Sequence, residues 1–110
     1  LPNLTAPSGA NLKGLKMTLN VDIEIVESQI ENNALGIPAN GVPENALLTF
    51  LQIYPNISEE CVFQDGFNFI IWTDDENPSQ FFSNAWAVNP ATKEQEFIAY
   101  YEFKVTPKKD

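Results

Sequence analysis

A chain of 110 residues suffices for one domain with a single hydrophobic core. With 44% hydrophobic residues, including eight Phe, three Tyr and two Trp, it is too rich in core formers to be a disordered segment. The formal net charge of -9, from fifteen carboxylates against six scattered Lys and no Arg, argues against nucleic-acid binding and against attraction to an anionic membrane.

Residues 1–14 (LPNLTAPSGANLKG) mix Pro, Gly, Asn and Ser with isolated leucines and read as an extended N-terminal arm ahead of a domain spanning 15–110. The pattern then becomes regular. Leu15, Met17, Leu19, Val21, Ile23 and Ile25 alternate with Lys16, Thr18, Asn20, Asp22 and Glu24. A period of two places the apolar set on one face of a strand and leaves the other face to water. That one-sided burial is typical of antiparallel sheets.

Residues 28–45 form a long, turn-rich connection with a short edge strand expected around 34–37. Residues 46–54 (ALLTFLQIY) admit two readings. Pro43-Glu44 resembles a helix start, and Leu47, Leu48, Leu51 and Tyr54 would share a helical face. Thr49, Phe50, Ile53 and Tyr54 favour a strand, and that reading is preferred. Strand character returns at Cys61 to Phe63 and at Phe67, Phe69 and Ile71, with Gly66 read as a bulge or bend. TDDENP (73–78) is an acidic turn, Gln80 to Val88 a further strand, and 89–93 another turn. In the last strand Phe97, Ala99, Tyr101, Phe103 and Val105 are expected to face the core. Glu96, Ile98, Tyr100, Glu102 and Lys104 are expected on the outer face.

These elements imply an all-β fold: a single antiparallel β-sandwich, Ig-like or jelly-roll-like, of about 5–7 strands, with room for one short helix near 44–54. No apolar run approaches the roughly 18 residues of a membrane helix, so membrane insertion is not expected.

The search for chemistry mostly closes doors. Without His there is no Ser-His-Asp or Cys-His set in this chain, and one Cys cannot build a zinc site. Cys61 sits between acidic Glu59-Glu60 and apolar Val62-Phe63, where nothing lowers a thiol pKa, and is expected to be a buried structural residue. No Gly-rich phosphate loop is present. No enzyme and no cofactor are expected, with Ca²⁺ at Asp74, Asp75 and Glu76 the one metal candidate. That turn lacks the glycine and terminal glutamate of the twelve-residue calcium loop, so a solvated hairpin turn is the simpler reading.

Two positive readings remain. The first is a structural or assembly subunit, such as a filament, pilus, capsid or decoration protein, forming a homo-oligomer or polymer at an extracellular, cell-surface or virion location. Its contacts would be Leu1, Leu4 and Leu12 of the arm with Ile98 and Tyr100 of the last strand. The second is a carbohydrate- or ligand-binding module, calcium-assisted or not, using Trp72, Trp86 and Tyr100. The sequons Asn3-Leu4-Thr5 and Asn56-Ile57-Ser58 fit an extracellular setting.

Overall fold

The computed structural model describes residues 20–108. The strand expected over 15–26 is therefore seen from Val21 onward; Leu15, Met17 and Leu19, like the arm, lie outside the described residues. Five strands and one helix follow in chain order. They are β1 (Val21–Ile30), α1 (Val42–Leu51), β2 (Glu59–Gln64), β3 (Phe67–Asp74), β4 (Asn77–Val88) and β5 (Gln95–Pro107). The strands form one antiparallel sheet in the order β1-β5-β4-β3-β2. The mostly β, antiparallel expectation holds, and the short helix near 44–54 is present. Among the described residues there is one sheet, and α1 takes the place of a second sheet on its inner face.

The preferred strand reading of 46–54 is corrected: most of that stretch is helix. Gly41 caps it at φ 94°, its N–H donating to Glu44 Oε1 at 3.1 Å, and Pro43 sits in the first turn, where its missing N–H costs nothing. Ala46, Leu47 and Phe50 are fully buried, a spacing that only a helix places on one stripe. Burial of that stripe outweighs the strand preference of Thr49 and Phe50. The edge strand expected around 34–37 is instead a turn, closed by the Gly36 N–H donating to the Asn33 carbonyl at 3.0 Å, with Gly36 at φ 88°.

The core lies between α1 and the inner face of the sheet. It comprises Phe69, Ile71, Phe81, Ala85, Ala99, Tyr101 and Phe103 with Val42, Leu47 and Phe50 of the helix. Phe50 meets the edge of Phe81 at 6.1 Å between ring centroids, and Tyr54 meets Phe81 at 5.2 Å. Each fully buried Phe contributes about 2–3 kcal/mol relative to exposure.

Two bulges redirect the faces. One falls between Ile25 and Glu27, so Ile23 and Ile25 point to the core side while Val26 is left 45% exposed. The other lies in β5: Ala85 pairs with Ala99 but Trp86 pairs with Phe97, leaving Ile98 as the extra residue. Ile98 turns into the core at 0% exposure, and Phe97 goes to the opposite face. The outward position expected for Ile98 and the inward one expected for Phe97 are thus exchanged. The kinked Ile98 carbonyl accepts hydrogen bonds from the Glu31 and Asn32 N–H groups at 2.8 and 3.1 Å, anchoring the chain as it leaves β1.

Candidate functional site

Among the described residues nothing covers the face of the sheet away from α1. Strand alternation and register assign its residues. Trp72 pairs with Phe82, and Phe82 with Glu102, whose other partner is Glu27. The next row runs Cys61, Ile70, Asn84, Tyr100 and Gln29. The row after that runs Phe63, Asn68, Trp86 and Phe97. One diagonal of this face is therefore aromatic. Trp72 stacks on Phe82 at 5.8 Å and 23°, lies 6.4 Å from Tyr100, and Trp86 meets Phe97 at 5.3 Å. These rings are half-buried by one another, while Phe63 at the β2 edge is 69% exposed. Between them lies a shallow apolar hollow of about 400 Å³ lined by Cys61, Asn68, Ile70, Trp86 and Gln95.

Charge is distributed unevenly across the same face. On the β1 side it carries Asp22, Glu24, Glu27 and Glu102, and on the far edge Glu59; the cation that register brings there is Lys104, opposite Glu24. Glu27 and Glu102 stand directly opposite each other, a like-charge pairing that destabilises a sheet. The Tyr100 hydroxyl donates to Glu102 Oε2 at 2.9 Å. Burial, that hydrogen bond and the negative charge of Glu102 and Glu27 push the Tyr100 hydroxyl up to about 12. On the covered face, burial and then the Glu44 carboxylate raise Tyr101 as well.

The residues singled out from the sequence fall as follows. Trp72, Trp86 and Tyr100 share the open face. Ile98 does not join them, being core. Leu1, Leu4 and Leu12 lie outside the described residues, as does the Asn3 sequon. Asn56 is exposed in the loop between α1 and β2. Asp74 ends β3 and Asp75 and Glu76 form the β3–β4 hairpin turn, all three exposed, with Asp74 Oδ1 accepting the Glu76 N–H at 2.9 Å. Among the described residues no three of His, Cys, Asp and Glu gather so as to hold a metal ion. Cys61, expected buried, is exposed, because its alternation on β2 follows Ile70 on the open face and not buried Val62.

Sequence reasoning missed Phe82, Phe97, Ile70 and Phe63 as members of this surface. A period-two reading of β4 aligns Phe82 with Trp86 and would have found the first. The bulge hid the second. No helix among the described residues is long and apolar enough to cross a membrane. No protein-family model matches the chain, and the searches of curated proteins and of solved structures each returned no match.

Proposed function

We propose that the chain is a non-enzymatic structural subunit that assembles with neighbouring copies through the open aromatic face of its sheet, in an extracellular, cell-surface or virion particle such as a filament, pilus or capsid. The observation that carries this reading is the contiguous surface of Trp72, Phe82, Tyr100, Ile70, Trp86 and Phe97, which no other described residue covers, on one side of the sheet. Partly exposed, contiguous apolar surfaces mark contact sites, and Trp and Tyr are the residues that anchor them. Residues 1–14 are the arm that reaches the neighbour. The exposed Asn56 sequon supports the extracellular setting.

The test is the mass of the full chain in solution by light scattering over a wide concentration range. Assembly that is lost in Trp72→Ala or Trp86→Ala, with unchanged circular dichroism, is expected. A strict monomer at every concentration would rule the reading out.

A carbohydrate-binding role is the second reading, favoured by Trp72, Trp86 and Tyr100 lying on one face. The rings lean on each other at 5.3–6.4 Å, which leaves less free ring area for a sugar than an open platform provides. Glycan-array binding that disappears in a folded Trp86→Ala variant would favour it over assembly.

A further inference from the structure

We infer that the occupant of the open face is the N-terminal segment, residues 1–19, of a second copy of this chain, held by its leucines on the aromatic diagonal and oriented by Lys13 and Lys16 against the carboxylates of β1 and β5. This rests on the assembly reading and names the surface that receives the arm.

Charge complementarity selects this occupant. Residues 1–19 hold two Lys and no Asp or Glu, whereas residues 20–108 hold fourteen carboxylates and three Lys. The cationic and the acidic parts of the molecule are therefore separated along the chain. The β1 side of the open face is net acidic: Glu27 opposes Glu102, Asp22 and Glu24 continue the column, and Lys104 stands beside them. A second copy docked face to face would bring the same excess of carboxylates against this one, which like-charge repulsion opposes. A segment bearing Lys and no acid relieves it. The segment also carries apolar side chains for the aromatic diagonal at Leu1, Leu4, Leu12, Leu15, Met17 and Leu19. Peptide capture on a sheet combines such side-chain anchors with directional polar contacts.

The direction of β1 favours a neighbour's segment over the chain's own. The Lys108 N–H donates to the Asn20 carbonyl at 2.9 Å, so the chain runs on the line of β1 through Asn20. The aromatic diagonal lies at the other end of that line, beside the pairs made by Glu27 and Gln29. Reaching it within one molecule requires a reversal at or before Gly14, since residues 15–20 contain neither Gly nor Pro. A segment donated from another copy needs no reversal.

The decisive experiment uses two full-length variants. One reverses the segment (Lys13→Glu with Lys16→Glu); the other reverses the face (Glu27→Lys with Glu102→Lys). Each alone sets like charge on like charge and is expected to weaken association by about tenfold or more, read as a shift in the concentration midpoint of the light-scattering mass. In an equimolar mixture the reversed segment meets the reversed face and the native segment meets the native face. Association is expected to recover to near the native midpoint. Recovery also certifies that both variants are folded, and thermal melts of each provide a second check.

No recovery on mixing, with both variants folded, overturns the inference, as a segment folded onto its own molecule would give that result. Native association that neither reversal changes also overturns it while leaving assembly itself standing. A native chain that never associates overturns both.

Discussion

The two faces of this sheet are built from nearly the same residue types and end in opposite states. The inner face presents Phe69, Phe81, Tyr101 and Phe103, and the outer one Trp72, Phe82, Tyr100, Trp86 and Phe97. The inner set is buried because α1 lays Ala46, Leu47 and Phe50 across it. Among the described residues the outer set has no such cover and is screened by its own ring contacts. Aromatic content alone therefore does not say which face of a sheet is core; the helix decides it. An aromatic face that folding leaves open is where a partner gains the apolar burial that folding does not supply.

The comparison can be broken at its strongest point first. Phe50→Ala empties a fully buried site beneath the inner face and is expected to cost about 3–5 kcal/mol in urea unfolding. A loss below about 1 kcal/mol would show that α1 does not cover the core as described. On the outer face Trp72→Ala acts on association instead, weakening it by about 2 kcal/mol or more as a central anchor does, while the stability of the dissociated chain falls by a smaller amount. Equal effects on both measurements would erase the distinction between the faces.

Gly66→Ala sharpens the contrast by touching neither face. Asp65 and Gly66 are the two-residue turn of the β2–β3 hairpin at φ 55° and 92°, and no atom lies near the position of an added Cβ. The cost is therefore all backbone, about 1–2 kcal/mol of stability, with the association midpoint of the folded protein unchanged.

The smallest effect is expected from Tyr100→Phe, and its pH dependence falls in alkali. The raised Tyr100 hydroxyl binds its proton more tightly in the folded state than in the unfolded one. Its contribution is therefore present below the ordinary tyrosine value of 10.0 and lost as pH rises through about 12. A phenolate titration of the native protein should contain a step near 12 that Tyr100→Phe deletes. A native titration lacking that step would remove Tyr100 from the burial and charge environment described for the open face.

Much of the fold could be read from residue order because a period of two is a direct consequence of strand geometry. The turn at 89–93 follows from it, as does a hairpin turn within 73–78, although the turn itself is only 75–76 and β4 starts at Asn77, ahead of the expected Gln80. Three features could not be reached the same way. The bulge at Ile98 inserts one residue and exchanges Phe97 with Ile98, and nothing local in EFIAYYEF marks where the insertion falls. The helix at 42–51 is set by burial against the sheet, a tertiary term that overrides the strand preference of Thr49 and Phe50. The open face is a property of which side α1 packs on, and no strand encodes that alone. One feature was legible and missed: Asp65-Gly66 between apolar runs is a strong two-residue hairpin signal, stronger than the bend read from Gly66 by itself. Strand position placed Tyr100 on the outer face, whereas Trp72 and Trp86 were binding candidates by residue type alone, with a core position the simpler expectation; their convergence with Phe82, Phe97 and the Glu27–Glu102 pair needed the register.

The most direct measurement uses the fact that both tryptophans of the chain, Trp72 and Trp86, lie on the open face. Acrylamide quenching of their emission, followed in the full chain from dilute to concentrated solution, reports whether that face is covered. Quenching that falls with rising concentration, in step with the mass from light scattering, is the expected result. Equal quenching at all concentrations while the mass increases would show that the molecule assembles through some other surface and would contradict the central claim.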